Sequence, residues 1–172
     1  MNAVCLYFNI EIHLMDKEAT VYPAKFDPAN SPIYIRNEIE VNSSPEKVWF
    51  WITNAKSWHA WYRNASRVII LNQYGDFLMA RTKFLWKTFG SRIVCDVTEF
   101  VPNHQIAWTS KGRGVQAYQI WTVLPTSNGC KVVTEETQKG WRCKLGKMLR
   151  PNRVHNYHEI WLQGLKSKAE KS

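Results

Sequence analysis

From about residue 66 to residue 139 the chain is a succession of strand-like runs, broken by five short turn signals. These are Tyr74-Gly75-Asp76, Phe89-Gly90-Ser91, Pro102-Asn103, Gly112-Arg113-Gly114 and Ser127-Asn128-Gly129. Connections this short cannot hold a crossover, so successive strands must pair antiparallel as a meander. Asn128-Gly129 is the best hairpin signal, because both residues tolerate the positive φ of a tight turn. Side chains alternate between the two faces of each strand. Thr82, Phe84 and Trp86 therefore point inward, opposite Arg81, Lys83 and Lys87. Ile93, Cys95 and Val97 alternate with Arg92, Asp96 and Thr98, and Glu99 falls on the inward parity.

The flanks complete the plan. Ile33, Ile35, Ile39 and Val41 alternate with Tyr34, Arg36, Glu38 and Glu40, the period of a half-buried strand. Ser43-Ser44-Pro45-Glu46 opens a helix, with Ser44 as N-cap and Pro45 in the first helical position. A second short helix is expected to carry Trp58, Trp61 and Tyr62. At the C-terminal end Pro151 can open a long helix with Val154, His158, Trp161 and Leu165 along one stripe. Its charged end, Lys166 to Ser172, is expected to fray. The order predicts an α+β fold: a curved antiparallel sheet of about seven strands wrapped around a long C-terminal helix, with two short helices after the first strand. Pro23, Pro28 and Pro32 mark residues 16–32 as an extended arm. Residues 1–14 read as a strand, a tail, or an upstream addition if translation starts at Met15. The division is thus an N-terminal extension over 1–27 and one domain over 28–172.

A chain of 172 residues can bury a substantial core, and nine Trp, seven Tyr and seven Phe supply the surface for it. Each large ring brings roughly 150–250 Å², which can fill a core or line a cavity. Cys5, Cys95, Cys130 and Cys143 lie far apart without a C-x-x-C pair, which suits a reducing compartment and a cytoplasmic location. The apolar start, Met1 to Met15, contains Glu11 and lacks a basic n-region and a cleavage site, so it does not read as a signal peptide. Nothing approaches the ~18 apolar residues of a membrane span, and no stable membrane insertion is expected. From Lys139 to Ser172 nine basic residues face only Glu159 and Glu170, which places +7 of the net +9 in that segment. It reads first as a solvated face, with no nucleic acid partner expected. His155 and His158 lack further ligands at suitable spacing, Gly112-Arg113-Gly114 is no phosphate loop, and no nucleophile motif occurs. No metal and no cofactor are expected.

Six pieces in this order resemble a known superfamily. They are Ser44-Pro45-Glu46-Lys47-Val48-Trp49 with Trp58-His59-Ala60-Trp61-Tyr62; Thr82-Lys83-Phe84-Leu85-Trp86; Val97-Thr98-Glu99-Phe100-Val101-Pro102 with Ile106-Ala107-Trp108; Ala117-Tyr118-Gln119-Ile120-Trp121; Thr134-Glu135-Glu136; and Trp161-Leu162-Gln163-Gly164-Leu165-Lys166. Over about residues 28–168 the chain is similar to the SRPBCC superfamily, with its START-like, helix-grip fold, and within it to the polyketide cyclase/dehydrase-like branch. The resemblance implies a binder of sterols, lipids, hormones or polyketides, and in a minority of members an enzyme of cyclisation or dehydration. One departure shows: relatives often carry a His where this chain has Gln119.

On that reading the inward aromatics Phe84, Trp86, Trp108 and Trp121, with Trp61, face Trp161 and form the walls of a ligand cavity; solid core packing is the alternative. Glu99, Gln119, Glu136 and His158 fall on inward positions, Glu136 because Lys131, Glu135 and Lys139 take the opposite parity. A buried polar group costs about 2–7 kcal/mol unless it finds a partner, so these four orient a ligand or bond one another. The leading expectation is a binder of a small hydrophobic molecule (a lipid, isoprenoid or polyketide-like compound), as monomer or homodimer. A cyclase or dehydratase using Glu136 and His158 as an acid–base pair is the alternative, and whether the chain is an enzyme stays open. A third reading is an interaction module working through the basic C-terminal helix.

Overall fold

The computed structural model describes residues 21–172, and the expectations for residues 1–14 and Met15 lie outside the described residues. Alternation and short turns produce seven strands: β1 Ile33–Val41, β2 Ser66–Ile70, β3 Lys83–Thr88, β4 Ser91–Val101, β5 Gln105–Gly112, β6 Val115–Thr126 and β7 Gly129–Lys139. Their order is β1-β7-β6-β5-β4-β3-β2, with every neighbouring pair antiparallel. The meander from β2 to β7 is thus completed by β1, whose Ile35 lies opposite Glu136. Turn chemistry sets the register. Between Thr88 and Ser91, Phe89 (φ 49°) and Gly90 (φ 77°) both sit in the left-handed region, as a two-residue hairpin requires.

After β1, helix α1 (Pro45–Thr53) starts as expected, with the Ser44 hydroxyl accepting from the Lys47 amide and Pro45 in its first turn. Val48, Trp49 and Ile52 are its buried face. The second short helix is a 3-10 segment over Ala55–Ala60 that holds Trp58 alone; Trp61 caps it and Tyr62 lies in the turn beyond. A 3-10 helix repeats every three residues, so the four-residue step from Trp58 to Tyr62 cannot stay on one of its faces.

The long helix, α3 (Arg153–Ala169), lies against the concave face and buries His158, Trp161, Leu162, Leu165 and Ala169. Pro151 stands in the turn before it, two residues ahead of the first helical position. Gly164 allows its closest approach: a Cβ there would stand 2.6 Å from the Trp61 carbonyl oxygen. The expected fraying of Lys166 to Ser172 is not what the end does. Ala169 is buried, Ser43 donates to its carbonyl, the Asn42 amide donates to Glu170, and Lys166 pairs with Glu170. The Ser43 bond occupies a carbonyl that a free helix end leaves to water, and the other two hold the Glu170 carboxylate against Asn42 and Lys166. Sequence reading also missed a further helix, α2 (Trp141–Leu149), between β7 and α3.

The convex face is covered too. Residues 21–32 cross it as the arm, with two 3-10 turns, Ala24–Phe26 and Pro28–Asn30. Phe26 stacks on Tyr118, Tyr22 meets Tyr118 and Tyr34 edge-on, and Ala107 and Ile120 complete this smaller cluster. Glu99 belongs to this side, which corrects its inward assignment. A bulge between Val97 and Glu99 inserts one residue into β4, so Val97 opposes Trp108 while Glu99 opposes Ala107. One extra residue inverts the parity of everything after it. Glu99 therefore accepts from the Tyr118 hydroxyl at 2.6 Å and from Gln105 at 2.7 Å on the outer face.

Candidate functional site

The interior splits into two parts at Trp161. Its ring lies parallel to Tyr62, with centroids 4.6 Å apart, and touches Trp121 at 4.8 Å, Trp58 at 5.1 Å and Trp86 at 5.5 Å. Trp58 extends the cluster to Phe84 and Trp108, both 5.9 Å away, and donates its indole N–H to the Ile52 carbonyl. On this side helix and sheet close completely, and the rings form an aromatic plug. On the other side of Trp161 lies a cavity of about 500 Å³. Trp86, Ile93, Val115 and Ala117 are its sheet wall, and Trp141, Leu145 and Leu149 of α2 are its roof.

Of the ten residues expected at a ligand site, Trp86, Gln119, Glu136, His158 and Trp161 line this cavity. Trp61, Phe84, Trp108 and Trp121 do not. The last three point inward as alternation requires, but Trp58 meets Phe84 and Trp108, Trp161 meets Trp121, and the two indoles fill the space between them. Trp61 leans on α3 at Gly164 and donates to Ser57. Glu99 lies on the opposite face, as described above. Sequence reading missed Tyr62 and the α2 residues as wall elements. The signal for α2 was present: Trp141, Leu145, Met148 and Leu149 follow the i, i+4, i+7, i+8 spacing of a helical stripe.

The polar end of the cavity is built by β6, β7 and α3. Gln119 lies directly opposite Glu136, and both point inward. Glu136 stands 2.8 Å from His158 Nε2 through Oε2 and accepts from Gln138 Nε2 at 3.0 Å through Oε1. Gln119 donates to Thr134 Oγ1 at 2.8 Å. His158 Nδ1 is buried with no hydrogen-bond partner among the described residues. A neutral imidazole that donates from Nε2 to the carboxylate keeps Nδ1 as an unused acceptor, able to take a proton from a hydroxyl or water. Tyr62, whose hydroxyl accepts from Asn64 at 2.9 Å, has its pKa pushed up by burial and stays a neutral phenol on the wall. The arrangement can therefore hold an apolar body against Trp86 and Trp161 and meet an oxygen-bearing group with Glu136, His158 and Gln119. Among the described residues no three His, Cys, Asp or Glu side chains are grouped to hold a metal ion. No helix among them is long and apolar enough to cross a membrane.

A family model described as "Polyketide cyclase / dehydrase and lipid transport" matches residues 32–170, from the start of β1 to the end of α3. The chain belongs to that family. In this member of the polyketide cyclase/dehydrase and lipid-transport family the Gln119 amide is committed to Thr134, and the imidazole on the cavity wall comes from His158 of α3.

The fold recurs in solved structures. A hypothetical protein of Helicobacter pylori, jhp0584, is 26% identical with a TM-score of 0.81, over 88% of this chain and 96% of that one. A START superfamily protein of Mycobacterium smegmatis is 15% identical with a TM-score of 0.65, over 80% of this chain and 97% of that one. The di-domain aromatase/cyclase StfQ of the steffimycin biosynthetic pathway is 13% identical with a TM-score of 0.66, over 81% of this chain and 51% of that one. The last two likenesses carry the fold alone. No curated protein matches the chain. The helix-grip fold implied by the sequence pieces is thereby shown, and the family match bears out the polyketide cyclase/dehydrase-like branch.

Proposed function

We propose that the chain binds a small hydrophobic molecule bearing a polar oxygen group (a lipid, isoprenoid or polyketide-like compound) in the cavity between Trp161 and α2. The observation that carries this reading is an apolar space of about 500 Å³ ending in the Glu136–His158 pair. That volume lies within the ~300–1,000 Å³ of small-molecule pockets, which are mostly apolar with a few placed polar groups. Native mass spectrometry of freshly purified protein is expected to show a co-purified small molecule. Ligand supplied at 100 Kd should stabilise the fold by about 2.7 kcal/mol, or roughly 5–11 °C in Tm at ~2–4 °C per kcal/mol for a chain of this size. Absence of both a bound species and any shift across a panel of fatty acids, sterols, isoprenoids and aromatic polyketides would remove the reading. Three buried free thiols, Cys95, Cys130 and Cys143, support a reducing, cytoplasmic setting, and burial pushes Cys95 up to about 12.

One observation favours a second reading, acid–base catalysis of the cyclase or dehydratase type. The carboxylate and imidazole that the sequence could only suggest as a pair stand 2.8 Å apart on the cavity wall. Such a pair could move a proton at carbon or oxygen next to a ketone, an effect commonly worth ~10²–10⁴-fold in rate. Glu136→Gln keeps the shape and removes the base. Turnover should fall by that factor with ligand affinity nearly kept, and unchanged turnover would exclude Glu136 from the chemistry.

A further inference from the structure

Helix α2 leaves its apolar stripe accessible, which is unusual for a helix of a water-facing protein. Its one buried residue is Cys143, while its apolar stripe has no core packed on it: Trp141 is 62% exposed, Leu145 45%, Met148 73% and Leu149 67%, with Met148 beyond the cavity lining. An amphipathic helix normally puts this stripe on the core. The charges around it are of one sign. Arg142, Lys144, Lys147, Arg150 and Arg153 are all exposed, and no Asp or Glu occurs from Lys139 to His158. The helix is nevertheless fixed in place: Lys147 Nζ donates to the Pro32 carbonyl at 2.8 Å, and the Arg142 amide donates to the Gly114 carbonyl at 3.2 Å. Trp141, Leu145 and Leu149 also form the roof of the cavity, so the stripe runs from the cavity lip to the surface.

We propose that α2 is a docking surface for an anionic lipid bilayer, which sets the cavity mouth against the membrane. An exposed apolar stripe ringed by Lys and Arg is the pattern of a helix lying in the plane of a bilayer interface, with its apolar side chains among the acyl chains and its cations at the headgroups. A nucleic acid would use the cations and leave the stripe in water. Docking adds a source for the cavity ligand, a molecule leaving the bilayer under the roof; that purpose rests on the cavity reading, while the docking itself does not.

Co-sedimentation of the full chain with phosphatidylcholine vesicles, with and without phosphatidylglycerol, tests it. The expected result is binding to the anionic vesicles at least tenfold tighter than to phosphatidylcholine alone. Raising salt from 0.1 M to 1 M shortens the screening length from about 10 Å to about 3 Å and should weaken the binding. Met148→Asp and Lys144→Glu alter side chains that neither line the cavity nor enter the core. Each should reduce vesicle binding at least tenfold while the circular dichroism spectrum and Tm stay unchanged. Several results would overturn the proposal: no binding to anionic vesicles, or binding that Met148→Asp leaves intact. A duplex DNA oligonucleotide bound as tightly as the vesicles and indifferent to Met148→Asp would assign the surface to nucleic acid. A Met148→Asp change in assembly state by size exclusion, without loss of vesicle binding, would assign it to a second copy of the chain. Ligand-induced Tm shifts measured without vesicles separate the two ideas. Shifts kept while vesicles fail to bind sink the docking alone, and vesicle binding without any shift sinks the cavity reading alone.

Discussion

Trp161→Ala is expected to lower Tm by roughly 6–20 °C, the largest stability loss of any single substitution named here. Trp161 is 2% exposed and touches the rings of Trp58, Tyr62, Trp86 and Trp121. Removing a buried Trp typically costs 3–5 kcal/mol, because transfer energy is lost and the cavity left behind collapses only in part, so about that amount is expected here. At ~2–4 °C per kcal/mol for a chain this size, the quoted range follows. A total stability of about 5–15 kcal/mol leaves the variant folded but marginal. Trp141→Ala is the control: the same residue type, largely in water, should move stability by no more than about 0.5 kcal/mol. Thermal unfolding followed by circular dichroism compares them, and equal Tm values would show that Trp161 does not hold the sheet to the helix.

The second large effect is on binding. Ala117 lies on β6, buried, on the sheet wall of the cavity, between the plug and the roof. Ala117→Phe fills the space with a ring instead of a ligand. Because the ring enters space the fold leaves empty, it adds apolar burial without the strain that overpacking a filled core brings. Tm is expected to hold or rise slightly, while affinity for the cavity ligand falls at least a hundredfold by titration. Wild-type affinity in this variant would place the ligand elsewhere.

Much of this was legible beforehand, because it depends on local rules. Period-two alternation placed Ile33 to Val41 and Thr82 to Trp86 on the correct faces, and Ser44-Pro45 fixed the start of α1. Glu136 and His158 were named from parity and helical spacing separately, and only the register of β7 against α3 makes them neighbours. Two features could not be read in this way. The bulge at Thr98 is a matter of pairing with β5, so alternation along β4 alone sent Glu99 to the wrong side. The division of the aromatics into plug and wall depends on how Trp58 and Trp161 interlock against the sheet, which no spacing encodes. Helix α2 was overlooked for a third reason: its apolar positions are few, its neighbours are mostly basic, and Gly146 weakens its helix propensity by about 1 kcal/mol.

A stopper halfway along the interior also acts as a ruler. In a series of straight-chain alcohols or acids, each added methylene that enters the apolar space should contribute about 0.8 kcal/mol to binding. That gain ends where the chain tip meets the face of Trp161, since no passage continues beyond it toward Phe84 and Trp108. Longer members must double back or trail out past the lip, and affinity plotted against carbon number should bend to a plateau.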